Sequence, residues 1–186
     1  EHMLLLVDEA YFEFARHAGG PDTLAAAARR KGPWAVVRTL SKAYGLAGLR
    51  VGYALLSSPD IAEALNRVRG MFNVNMLAQV AGSAAPEDKA HTQRLIENCA
   101  TERRRLSEGF ARLGCTPLPS VANFVSAQMP MPAADAMQAF QQRGILVAAI
   151  GAAPFDRHIR VTVGTAEDTD AVLDALKDIL ERHART

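Results

Sequence analysis

Charge of one sign is missing from this sequence: 21 Lys and Arg face 20 Asp and Glu, a net charge of +1. That balance removes the electrostatic reason to seek nucleic acid or an anionic membrane surface, and neither is expected as a partner. Cysteine is nearly absent. Cys99 and Cys115 stand at no metal-ligand or redox spacing, which fits two reduced thiols in a cytoplasmic protein rather than a disulfide framework. The histidines show no ligand spacing, so no metal site is expected. His17, His91, His158 and His183 read as surface residues. No apolar run approaches the roughly 20 residues that span a bilayer, and no signal-peptide pattern opens the chain.

What is present suits a globular protein with a real core. The 186 residues are 49% hydrophobic and 22% charged, enough for one large domain or two small ones. Glu1-His2-Met3 runs straight into the apolar Leu4–Val7. His2-Met3 reads as a cloning remnant, or the chain as a fragment, and the apolar run reads as a buried strand of a parallel sheet. Gly19-Gly20-Pro21-Asp22 breaks the chain. The alanine-rich stretch from Thr23 to Lys31 predicts a helix. Trp34–Leu40 and Arg50–Leu56 predict strands on either side of a loop of small residues, Ser41–Gly48. Ser58-Pro59 predicts a capped helix start, and apolar spacing predicts a further helix over Asn73–Ser83.

The texture changes after about residue 85. Lys89–Leu113 predicts a long amphipathic helix with Ile96, Cys99, Ala100, Leu106 and Phe110 along its buried stripe. The run Arg103-Arg104-Arg105 reads as its solvated face. Asn123–Ala127, Ile145–Ala148 and Ile159–Val163 predict short strands. Ala133–Arg143 predicts a helix stopped by Gly144, and Thr165 caps a last helix running to about His183. Strand and helix therefore alternate over residues 1–85, and a smaller α+β unit follows over 86–186. The fold class is α/β.

Two places carry chemistry. Asp8, at the end of a parallel strand, lies where such folds place ligands, and Tyr11 can face the same crevice. Alone, this acid could equally cap the segment that follows. Four apolar residues before Asp8-Glu9 also suit a nucleotide hydrolase that holds magnesium on the acid. That reading needs a Gly-x-x-x-x-Gly-Lys-Ser/Thr loop, which the sequence lacks. The stronger signal is Thr39-Leu40-Ser41-Lys42-Ala43-Tyr44-Gly45-Leu46-Ala47-Gly48-Leu49-Arg50-Val51-Gly52-Tyr53. It sets one lysine just past an apolar strand. Such an amine, partly desolvated, can form a Schiff base with a carbonyl. The hydroxyls of Thr39 and Ser41 with the guanidinium of Arg50 make a phosphate site. The three glycines permit tight turns and close backbone approach.

The run Ser-Lys-x-x-x-Leu-x-Gly-Leu-Arg-x-Gly-Tyr resembles the cofactor-lysine signature of the fold-type I, pyridoxal-phosphate-dependent aminotransferases of class I/II. Within them the chain looks most like the histidinol-phosphate aminotransferase group, C-terminal part only. Val7–Tyr11, Asn73–Gln79, Ala122-Asn123-Phe124 and Ile159–Thr165 are similar to segments of that group, in order. The resemblance implies a mostly parallel three-layer α/β/α cofactor domain, of which residues 1–85 are the C-terminal portion, followed by a small α+β domain over 86–186. It implies pyridoxal 5'-phosphate held by Lys42, whose amine then shuttles the substrate proton. Asp8 pairs with the ring nitrogen and Tyr11 with the phenolic oxygen of the cofactor, while Thr39, Ser41 and Arg50 hold its phosphate. Arg160 binds the acidic end of an amino acid, keto acid or phosphate substrate, and Asn123 contacts substrate. Asn73 and Asn75 order the loop before their helix. A cytoplasmic homodimer working in histidine biosynthesis follows from the same resemblance.

The sequence also departs from that group. Ala148 stands where an arginine is usual after the Gly144–Val147 stretch, with Arg157 the one candidate to replace it. The N-terminal half of the family, which supplies further cofactor contacts, has no counterpart in this chain. Two other readings stay open beside the transaminase: a threonine-phosphate decarboxylase with the same lysine, and a catalytically incomplete module with a folding or interaction role.

Overall fold

The computed structural model describes residues 3–184, so His2 of the expected His2-Met3 cloning remnant lies outside the described residues. The chain divides into two compact units, one ending at Ile96 and the other beginning at Glu97.

The first unit is built on a three-stranded sheet in the order β1 (Leu5–Asp8), β2 (Trp34–Thr39), β3 (Gly52–Leu56). β1 and β2 are parallel, with Asp8 opposite Val37. The crossover between them carries α1 (Phe12–His17) and α2 (Thr23–Ala28). Sequence periodicity missed α1, which is only six residues long and too short to show a helical repeat. β3 instead runs antiparallel to β2. The link between β2 and β3 contains only a single turn of 3-10 helix, Ala47–Leu49, where a parallel return usually carries a full crossover helix.

Phe14, Ala35, Val36, Leu40, Ala43 and Ala78 are buried in this unit. Leu4–Val7, expected as a buried strand, is not: Leu5 and Leu6 are 40% and 63% exposed. β1 has a paired neighbour on one side only, so nothing in the described sheet covers it. Pro59 opens α3 (Pro59–Val68) as expected, but the Ser58 side chain makes no capping bond. Asn75 does cap α4 (Met76–Ala84), accepting from the Ala78 amide, and Asn73 accepts from Arg69 in the loop before it.

The helix α5 (Lys89–Arg112) contains the division between the units. The second unit has a four-stranded sheet in the order β4 (Thr116–Pro117), β5 (Phe124–Gln128), β7 (His158–Thr162), β6 (Ala148–Ala149), antiparallel throughout. One face is apolar. Val125, Ala127, Ile159 and Val161 join Leu106 and Phe110 of α5, Phe140 of α6 (Ala133–Gln141) and Leu176 of α7 (Ala166–His183) in one core. Thr165 and Asp168 form a capping box at the start of α7, satisfying amides the helix leaves open.

Three expectations are corrected here. The strand expected over Ile145–Ala148 reduces to Ala148–Ala149. Of the arginine run, Arg103 donates to the carbonyls of Val121 and Ala122, and Arg105 bridges Glu102 and Asp170. Only Arg104 is classed as exposed. His158 is buried, edge-on to the Phe155 ring at 5.1 Å, because β7 carries it into the sheet at its first position.

Candidate active site

The parallel register of β1 and β2 brings the two sequence signals together. Asp8 ends β1, exposed, and one of its carboxylate oxygens accepts the Ala10 amide at 2.9 Å. Side chains alternate across a strand, so Asp8 and Thr39 share one face of the sheet while Glu9 and Arg38 share the other. Past the end of β2, Thr39 donates its hydroxyl proton to Ser41 Oγ at 2.8 Å, and its own oxygen accepts the Ser41 amide at 3.1 Å. This tight local loop turns the chain so that Lys42 follows, partly exposed, with its Nζ 5.6 Å from the centre of the Tyr11 ring.

Arg50 is set less directly. It sits at φ 54, ψ 48 in the left-handed region, uncommon for a residue with a Cβ, and its guanidinium donates to the Ala47 carbonyl at 3.0 Å. Of the three glycines, Gly45 has φ +70 at the turn, and a Cβ on Gly52 would come within 2.5 Å of the Arg38 carbonyl. Gly48 has open space around it, so close approach does not explain that glycine.

Behind this face lies a polar cluster that periodicity did not single out. The Glu9 carboxylate accepts from Arg38 Nε at 2.8 Å and from the Thr23 hydroxyl, and the Glu9 and Arg38 side chains are 7% and 11% exposed. The Arg38 guanidinium stacks 3.4 Å from the Phe12 ring centre. Burial works against the charged guanidinium, but hydrogen bonds to Tyr53 and Glu9 outweigh it and hold the Arg38 pKa above its ordinary value. Burial likewise pushes the Glu13 carboxyl up, against a hydrogen bond from Tyr44 and the charge of Arg38. The available signal was Arg38 itself, one charge inside the otherwise apolar Trp34–Leu40. A charge there requires a partner.

A cleft of about 800 Å³ in the first unit is lined by Leu40, Tyr53, Asn66, Arg69 and Phe72 among others. None of Asp8, Tyr11, Lys42 or Arg50 lines it. Asp8 and Thr39 instead end β1 and β2, and Lys42 lies beside Tyr11.

Asn123 and Arg160 belong to the second unit. Arg160 is exposed on the open face of β7, its guanidinium 4.7 Å from the Phe124 ring centre, with Ser126 and Ala148 opposite it on the two neighbouring strands. The Asn123 carbonyl accepts the Val163 amide and so continues the β5–β7 ladder. Arg157 donates to the carbonyls of Met129 and Pro130. Among the described residues no three His, Cys, Asp or Glu side chains gather as a metal site, and no helix is long and apolar enough to cross a membrane.

The family described as aminotransferase class I and II matches residues 1–176. A protein of Methylococcus capsulatus named histidinol-phosphate aminotransferase 2 is 43% identical over 97% of this chain and 48% of its own length. Histidinol-phosphate aminotransferase 1 of Nitrosococcus oceani is 39% identical over the same shares. The solved structure of histidinol-phosphate aminotransferase from Sinorhizobium meliloti, in complex with pyridoxal-5'-phosphate, superposes with a TM-score of 0.85 at 32% identity, covering 97% of this chain and 50% of that one. The chain thus spans about half the length of the relatives it matches.

Proposed function

This chain belongs to the aminotransferase class I and II family, and on that premise we propose that it is the lysine-bearing part of a pyridoxal 5'-phosphate-dependent aminotransferase. Its reaction exchanges an amino group between histidinol phosphate and 2-oxoglutarate, giving imidazole-acetol phosphate and glutamate, or acts on a related amino acid. The observation that carries this reading is the placement of Lys42 beside the Tyr11 ring and past the Thr39–Ser41 turn. The identity to histidinol-phosphate aminotransferases along 97% of the chain supports the substrate.

The donor set fits such a cofactor. Asp8 offers a carboxylate whose second oxygen is not used by the Ala10 amide, suited to holding a proton on a ring nitrogen. Thr39 and Ser41 offer hydroxyls, and Arg50 has donors beyond the one given to Ala47, suited to phosphate oxygens. When bound, the cofactor supplies the electron sink for charge developing at the substrate α-carbon. The protein's share is positional. Lys42 would hold the cofactor and move the α-proton, Tyr11 would donate to the phenolic oxygen, and Arg160 would bind the substrate's acidic end with Asn123 beside it.

In this reading residues 1–85 are the C-terminal portion of the large cofactor domain and 86–186 the small domain. The intact protein is a cytoplasmic homodimer. The exposed apolar strip of Val68, Met71, Phe72, Met76, Leu77 and Val80 supports an assembled form, since single soluble units seldom leave such strips open.

The test is to add pyridoxal phosphate, reduce with borohydride and map the modified peptide. Label on Lys42 is expected, and label elsewhere overturns the reading. Label absent here but present on the same lysine in a longer protein favours the incomplete module. Carbon dioxide release, in place of a product that keeps its carboxylate, favours the decarboxylase.

A further inference from the structure

We propose that the buried Glu9–Arg38 ion pair is a positioning device for the candidate active site, holding Asp8 and the Thr39–Lys42 turn at a fixed spacing from the opposite face of the sheet. The inference rests on the reading of Lys42 and Asp8 given above.

The geometry points this way in three steps. Glu9 directly follows Asp8 and Arg38 directly precedes Thr39. The pair therefore ties together the two strand ends that carry the site, just where the ladder finishes with the Glu9 amide donating to the Val37 carbonyl at 2.9 Å. Next, each partner is held from more than one side. Thr23 donates to the free oxygen of Glu9, the Phe12 ring covers the guanidinium, and Tyr53 lies opposite Arg38 on β3. A carboxylate and guanidinium fixed by several contacts have little freedom to rotate, and neither do the residues next to them. Finally, cohesion alone does not call for charges here. Well-packed apolar residues in place of a buried pair are often as stable or more so, and the neighbouring Val36 and Ala35 show that this sheet buries apolar side chains completely. What an ion pair adds is a directional tie at one register.

The test separates position from stability. In the double variant Glu9→Leu/Arg38→Met an apolar contact replaces the pair. Asp8 can be followed without any cofactor, because its carboxylate accepts the Ala10 amide and the hydrogen-exchange rate of that amide therefore reports whether the carboxylate is held in place. Ser41 reports the other strand in the same way through its amide bond to Thr39.

We expect the double variant to melt near the wild-type temperature while the Ala10 and Ser41 amides both exchange faster and pyridoxal phosphate is retained about tenfold less well. A double variant as stable as wild type with both amides unchanged overturns the proposal. Should the double variant not fold, Glu9→Asp keeps the charge and shortens its reach. The same two amide changes are expected there, and their absence is equally fatal. Wild-type protein that takes no label on Lys42 sinks the cofactor reading instead, while the two amides still decide the role of the pair.

Discussion

The Lys42 ammonium lies 5.6 Å from the centre of the Tyr11 ring, although the two residues follow different strands. The parallel pairing of β1 and β2 makes them neighbours, with Asp8 beside Val37 at the end of the register. In the proposed function Tyr11 donates a hydrogen bond to the cofactor, worth about 0.5–1.5 kcal/mol, a factor of roughly two to ten. Tyr11→Leu should lower the retention of pyridoxal phosphate by that factor, whereas Lys42→Ala should abolish its borohydride-stable attachment. Absorbance titration and peptide mapping read the two effects separately.

Two ion pairs of the first unit should differ sharply in worth. Glu9→Gln leaves a buried guanidinium without its counter-charge, which costs about 3–5 kcal/mol. Glu63→Gln breaks a pair whose side chains are 64% and 75% exposed, and there the cost should stay below about 0.5 kcal/mol. Urea denaturation of both variants at neutral pH measures the difference.

Glu13 sets a pH dependence of defined sign. Burial, its largest influence, raises its pKa above 4.5 in the folded protein. The folded state therefore favours the protonated acid. Stability from this group is complete below the unfolded value and is lost as pH rises through the raised folded value. Glu13→Gln keeps a neutral side chain at every pH. Its stability relative to wild type should rise across that window and level off above it, as denaturation curves from pH 4 upward would record.

Both cysteines should be inert in the folded chain. Burial pushes the Cys115 thiol up to about 11 and raises Cys99 as well, against the Arg103 charge. The thiolate is the species that reacts. Alkylation at mildly alkaline pH should leave both unmodified in native protein and label both in urea, as intact mass will show.

Individual residues show how far the sequence could be read and where it stopped. Pro59, Thr165 and the stripe Ile96, Cys99, Leu106 and Phe110 behave as their local patterns require, because capping and helical periodicity act over a few residues. The reactive run Thr39–Tyr53 was legible for the same reason: its hydroxyls, lysine and glycines lie within a single turn and the strand after it. The six-residue α1 was too short to show a repeat, and the buried His158 and the carbonyl partners of Arg103 and Arg157 were not legible because they depend on groups farther along the chain.

By itself, then, the sequence determined which residues could do chemistry and which segments would be helix or strand, since both are properties of neighbours in the chain. Tertiary structure decided that Tyr11 and Lys42 become neighbours, that β3 turns back antiparallel, and that Glu9 finds Arg38. These outcomes follow from strand pairing and from the cost of a buried charge without a counterpart, and both are settled only when distant parts of the chain come together.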